Sequence, residues 1–336
     1  MDLLNGLVAL ANFVLIPAIA YGSQLALGAL GVTLIYGILR FSNFAHGDTM
    51  AVGTMFAVLA TWGLQAMGVG FGPLPTALLA IPFGILGAAA LVLLTDRFVY
   101  RFYRAQKAKP VILVIVSIGV MFIYNGVTRI IIGPEDQRFA DGARFVISAR
   151  DFKEMTGLAE GLALRTSQVI TVIAAVAIVA VLFWFLNRTR TGKSMRAFSD
   201  NEDLALLSGI NPERVVLVTW LIVAALATVA GVLYGLDKSF KPFTYFQLLL
   251  PIFASAIVGG LGNPLGAIAG GFVIAFSEVG ITYAWKKVLV YMMPPALEPD
   301  GLMQILSTEY KFAVSFVILV IVLLFRPTGL FRGKSL

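Results

Sequence analysis

Seven stretches of this chain contain no charged side chain: residues 3–39, 49–95, 110–128, 166–187, 215–236, 242–277 and 312–325. A segment crossing a bilayer finds no water for its backbone and must satisfy its own peptide groups. About 20 apolar residues in a helix do this across a core of roughly 30 Å. Three of the stretches exceed 35 residues, enough for two crossings each. Charged residues make up 13% of the 336 positions and hydrophobic ones 59%, whereas a soluble domain carries about 25% charged. The expected fold class is therefore all-α: one polytopic membrane domain over residues 1–336 with eight to ten transmembrane helices.

The basic residues orient it. Residues 96–109 hold Arg97, Arg101, Arg104, Lys107 and Lys109 against one acid, the signature of a short cytoplasmic loop. Residues 129–165 hold six bases and six acids, the profile of an extracytoplasmic loop, taken as 129–166. Residues 188–214 start with Arg188, Arg190, Lys193 and Arg196, and return to the cytoplasm. The net charge of +7 sits at segment ends, so it orients helices and does not imply nucleic acid. The amino end, MDLLNGLVAL, lacks the basic stretch of a signal peptide, so retained spans are expected to do the targeting. Pro17 and Gly22-Ser23 are expected to divide the first stretch into a helix over 24–39 and a further span or interfacial helix over 3–20.

With no cysteine and one histidine, the chain has no disulfide and no Cys/His zinc site; no metal or cofactor is expected. Residues 187–194, NRTRTGKS, nearly match the phosphate-cradling G-x-x-x-x-G-K-[ST]. The first glycine is Asn187, however, and the run follows a membrane helix rather than a strand, so it reads as a basic flank. The chain is not expected to be an enzyme or to hydrolyse ATP.

Residues 191–214 are polar, mixed in charge and helix-forming as far as Asn211-Pro212, and they lie between two spans. That is the form of a surface receiving force from a soluble partner. Within it Asp203, Ala205 and Gly209 suggest a short helix–turn unit: Ala205 permits close approach of another helix and Gly209 ends its own. In AIVGGLGNPLGAIAGG, Gly262, Gly266 and Gly270 recur every four residues, which suits close backbone packing in lipid. Asn263-Pro264 interrupts the run, and freed backbone groups at membrane depth need protein or water beside them. Gly260, Gly262, Asn263, Pro264 and Gly266 are thus candidates for a helix break beside a pore. Short helices are expected around Asn263-Pro264. Glu278, in IAFSEVGITYAW, is either pore-facing or near the outer interface. Asn43, His46, Gly47 and Asp48 lie close to a helix start, where Asp48 suits the positive dipole end.

Four blocks resemble one family: GVTLIYGILRFSNFAHGD (31–48), LLSGINPERV (206–215), AIVGGLGNPLGAIAGG (256–271) and LSTEYKFAVSFVILVIVLLFRPTGLF (306–331). The sequence is similar to branched-chain amino-acid ABC importer permeases of the LivH type over more than nine-tenths of its length. Residues 1–22 are longer than the family's usual start. The resemblance implies a bacterial inner-membrane permease that pairs with a homologous LivM-type subunit. Two cytoplasmic ATPases and an extracytoplasmic binding protein complete such an importer. It also implies that 188–214 is the coupling loop, with Arg196, Asp203, Ala205, Gly209 and Asn211 at the ATPase contact. Substrate class rests on the resemblance alone, since related permeases carry urea, short amides or other small carboxylates. Two rivals remain: a transporter driven by an ion gradient, which needs titratable groups inside the spans, and a passive channel, which needs no coupling loop.

Overall fold

The computed structural model describes residues 2–292, 301 and 303–331. Arg332 and Lys334, expected to flank the last span, lie outside the described residues. Among those described, nine helices are long and apolar enough to cross a membrane, with almost no sheet.

The first is α1 (Asp2–Leu10), running through a π turn (Ala11–Leu15) into α2 (Ile16–Leu39) as one rod, whose 37 residues from Leu3 to Leu39 carry no charge. The break expected at Pro17 and Gly22-Ser23 does not occur. The π turn shifts the ladder so that the Ile16 N–H donates to the Ala11 carbonyl. Pro17 follows in the first turn of α2, where a missing N–H costs little. Gly22 serves a contact instead, because a Cβ there would press on Phe272 and Ala275. At 1.5 Å per residue the rod is about 55 Å long, longer than a bilayer core. Its first turns are tied to a loop at one end of the molecule, where Asn5 and Asn12 accept from the N–H groups of Glu160 and Ala163 at 3.1 and 2.9 Å.

The other spans follow in antiparallel order. They are α3 (His46–Ala66); α4 (Ala77–Thr95), which continues through a π turn into α5 (Arg101–Ala105); α6 (Pro110–Ile132); α8 (Thr166–Arg188); α11 (Pro212–Lys238); α12 (Pro242–Gly259); α13 (Pro264–Thr282); and α15 (Lys311–Phe325). One end of the bundle carries Arg97, Arg101, Arg104, Lys107 and Arg188–Arg196, and is called here the basic end. It also holds α9 (Arg190–Asp200) and α10 (Glu202–Leu207). The far end holds the loop from Gly133 to Arg165, with β1 (Phe145–Ile147) paired antiparallel to β2 (Leu164–Arg165) around α7 (Ala149–Thr156), and the short α14 (Lys286–Met292). Lys286 and Lys287 sit at this far end, and Lys287 reaches Glu160 at 3.2 Å.

The core is α2, α3, α11, α12 and α13, and their small residues are why they close up. A Cβ at Gly53 would collide with Thr228, one at Gly84 would lie 2.7 Å from the Gly53 carbonyl, and one at Gly231 would collide with Thr54. Lipid offers little hydrophobic drive between helices, so such close backbone contact supplies the attraction. The outer helices α6, α8 and α15 instead expose Phe122, Ile130, Val176, Trp184, Leu324 and Phe325, the surface expected against acyl chains.

Candidate functional site

At the basic end the segment 189–211 is two helices and not one. Asn201 takes an extended conformation (φ −151°, ψ 109°) and caps α10, its side chain accepting from the Leu204 N–H at 3.0 Å. Extended Asn201 interrupts the run expected to stay helical as far as Asn211. Gly209 (φ +79°) turns the chain after α10, and Asn211 caps α11 through the Arg214 N–H. Met195, Phe198 and Ala205 face inward, while Arg196, Asp203 and Gly209 are exposed. Leu204, Leu206 and Leu207 stand out from α10, Leu207 at 85% exposure. These leucines form an exposed apolar ridge beside charged residues.

α9 is fastened to the end of α2. Arg40 closes that helix in the left-handed region (φ 59°), and its guanidinium donates to the Ser199 carbonyl at 2.6 Å. A cavity of about 410 Å³ lies between α2, α8, α9 and the turn into α13, with Gly37, Asn187, Arg196, Asp200 and Asn263 on its wall. The fold thus brings Arg196 and Asn263, far apart in sequence, to one space.

Beyond Arg40 the chain turns back into the bundle. Phe41, Asn43, Ala45, His46 and Asp48 are all buried. Asn43 accepts from the Ala45 N–H at 3.1 Å and from the Tyr100 hydroxyl at 3.3 Å, which sets the entry into α3. The Phe44 N–H donates to Ser117 on α6 at 3.0 Å. Ala45 is the N-cap, and no side chain caps the helix. Asp48, in the first turn, accepts from Asn125 of α6 at 2.8 Å, and its second oxygen has no hydrogen-bond partner among the described residues. His46 packs over Gly31 and Gly47 against the Tyr245 carbonyl, which a Cβ would approach to 2.7 Å. Each glycine is needed because the chain passes so close.

Residues 260–263 join α12 and α13, two of the shortest spans at 18 and 19 residues, by a tight turn at the basic end. Gly260 (φ 109°) and Gly262 (φ 82°) supply its left-handed steps. Asn263 caps α13 through the Leu265 and Gly266 N–H groups at 3.1 Å, and its amide donates to the Phe331 carbonyl at 2.9 Å. Pro264 fits as the first residue of α13. Gly266 and Gly270 bring α13 against α12, where a Cβ would strike the carbonyls of Gly259 and Ser255. Gly262 lies in the turn and not on that stripe.

Glu278 is fully buried. It pairs with Lys311 of α15 at 3.6 Å, and the Ser315 hydroxyl donates to its other oxygen. The Lys311 ammonium sits 3.4 Å over the Tyr21 ring. The structure therefore places Glu278 in a contact that ties α13, α15 and α2 together. Lys311, Asn125, Ser117 and Arg40 were not singled out in the sequence. The polar residues inside uncharged runs, Ser117 and Asn125, were the available signal.

The family model for "Branched-chain amino acid transport system / permease component" matches residues 14–323. The chain is 32% identical over 322 residues to the "High-affinity branched-chain amino acid transport system permease protein LivH" of Escherichia coli (strain K12), covering 93% of this chain and 92% of that one. It is 29% identical over 318 residues to the BraD permease of the same description from Pseudomonas aeruginosa, covering 94% of each. A fructose import permease protein, FruG of Bifidobacterium longum, is 25% identical over 74% of this chain and 72% of its own. With nine apolar spans in the order described, and with likeness over nearly its whole length, this chain belongs to the family of branched-chain amino acid transport system permease components, multi-pass membrane proteins of ABC transport.

Proposed function

We propose that this chain is the permease subunit of an ATP-binding-cassette importer in a bacterial inner membrane, for branched-chain amino acids or closely related small polar solutes. The basic end faces the cytoplasm, as its arginines and lysines require. ATPase subunits dock on the loop 188–214, chiefly through Leu204, Leu206 and Leu207 of α10. A binding protein delivers substrate at the far end, and a homologous LivM-type permease completes the pore.

One observation carries this reading: a continuous connection from α10 through α9 and the Arg40–Ser199 contact to the buried segment 41–48. Force applied to α10 reaches the interior through rigid, hydrogen-bonded parts. In this reading Arg196, Asp203, Ala205, Gly209 and Asn211 shape the docking surface. Gly260, Gly262, Asn263, Pro264 and Gly266 hold α12 and α13 at the cytoplasmic mouth. The substrate class rests on the relatives named for branched-chain amino acids, with the fructose importer as the measure of how far substrates diverge in related permeases.

The test is uptake of labelled leucine into vesicles holding the complete importer. Uptake should require ATP and survive an uncoupler, and Leu207→Glu should abolish it while leaving the protein inserted. Uptake that collapses with the proton gradient and ignores ATP would assign the chain to gradient-driven transport, with buried His46, Asp48 and Glu278 as its titratable groups.

A further inference from the structure

A second cavity, of about 570 Å³, opens at the basic end between the loop 101–109, α9, the start of α10 and the start of α11. Its floor is apolar and buried, formed by Leu39, Leu113, Phe198 and Val216. Its walls carry Arg40, Arg101, Arg104 and Lys107 against Glu202 and Glu213. Two of the four bases are already held: Arg104 chelates Asp96 with both terminal nitrogens, at 2.5 and 3.0 Å, and Arg101 lies 3.4 Å from Glu213. Among the described residues Arg40 donates to a neutral carbonyl and forms no ion pair, and Lys107 forms no ion pair with an acid. Set against Glu202, these two leave an excess of one positive charge.

The backbone supports a demand for those side chains. Arg40 (φ 59°) and Lys107 (φ 51°) are both left-handed, and among the described residues only Ser239 and Met303 share this outside glycine. Each ends a helix. The Arg40 N–H donates the last bond of α2 to the Tyr36 carbonyl at 3.1 Å. Lys107 sits in the turn closing α5, where the Ala108 N–H reaches back to Tyr103 at 3.1 Å. Glycine is the ordinary residue at such a helix end because it bears no strain there. Strain kept at two positions around one cavity points to a use for the side chains. The cavity is continuous with α10 through Glu202, and so adjoins the exposed leucines.

We infer that this cavity is a second docking point, on the loop 101–109, that receives one acidic side chain of the ATPase subunit bound at α10. The inference rests on the proposed docking of ATPases at 188–214. The apolar ridge of α10 supplies contact area, and the carboxylate, entering above the buried floor, fixes orientation and speeds encounter.

The test titrates purified ATPase subunits onto the permease pair in lipid nanodiscs. Lys107→Gly removes the charge and relieves the left-handed strain, so misfolding does not confuse the result. It should weaken ATPase binding about threefold to tenfold. It should also flatten the decline in affinity between about 0.05 and 0.5 M salt. Lys107→Arg should bind as the unaltered protein does. ATPase affinity and salt slope unchanged in Lys107→Gly would overturn the inference. So would an effect confined to discs containing phosphatidylglycerol and absent with phosphatidylcholine, which would assign the cavity to an anionic lipid headgroup. Leu207→Glu serves as the control on the underlying reading. If it too binds normally, docking at α10 fails; if it loses binding and Lys107→Gly does not, only the second docking point fails.

Discussion

Two interruptions of the apolar pattern, residues 40–45 and 260–263, are buried to a similar degree but lead into opposite environments. The first contains an arginine and an asparagine, yet it turns into the bundle, with Phe41, Asn43 and Ala45 buried, and leads to the fully buried His46 and Asp48. The second is mostly glycine and leucine, yet it closes a hairpin at the basic end, with Asn263 partly exposed and Leu265 well exposed. Polarity along the sequence does not report depth. A polar segment can enter a membrane protein when its groups find partners, as Asn43, Phe44 and Asp48 do in Tyr100, Ser117 and Asn125. An apolar turn stays at the end when its purpose is to let two helices meet at glycine.

The sharpest way to break this comparison is labelling with a membrane-impermeant thiol reagent, which is clean because the chain has no cysteine. Asn263→Cys should label fully from the basic side and Asn43→Cys from neither side. Equal labelling of the two would erase the contrast. Next in size, Gly266→Leu must place a side chain against the Gly259 carbonyl. Overpacking of this kind costs about 3 kcal/mol or more where backbone cannot yield, and thermal unfolding in detergent should show a large drop. Leu265→Ala, one residue away on an exposed face, should leave the midpoint nearly unchanged.

A smaller effect is expected inside. Asp48→Ala strands the Asn125 amide and should cost about 1–3 kcal/mol. Combined with Asn125→Ala in a double-mutant cycle, it should show a coupling of about 0.5–3 kcal/mol. Strict additivity would mean that the two groups do not support one another. The smallest effect lies at the far end, where Asp141 joins the loop 133–165 to the turn before α4. Burial would raise the pKa of its carboxyl. Hydrogen bonds from Thr76 and Gln65, at 2.6 and 2.9 Å, outweigh burial and hold it below the usual carboxylate value. A depressed folded-state pKa adds stability above the ordinary carboxylate range, and that stability is lost as pH falls through the lowered value. The hydrogen-exchange protection of residues 140–143, taken relative to the intrinsic rate at each pH, should therefore fall on acidification below about pH 4, and Asp141→Asn should remove that pH dependence.

Much of this protein was legible from residue order alone. Uncharged runs specify membrane helices, because transfer into hydrocarbon depends on local composition, and their basic flanks give the direction proposed for them. Gly209 could be read as a helix-ending turn for an equally local reason, whereas Gly260 was read as part of a helix break beside a pore. Tertiary structure alone decided the rest. Whether Pro17 would break a helix depended on a π turn six residues before it. That Glu278 would lie fully buried beside Lys311, and not simply near an interface, depended on a residue of another helix. Which glycines mark packing, and which mark turning, followed from the helix that came to lie against them. Depth, pairing and the meeting of Arg40 with Ser199 depend on contacts between segments far apart in the chain, and no local pattern encodes which distant segment will be the neighbour.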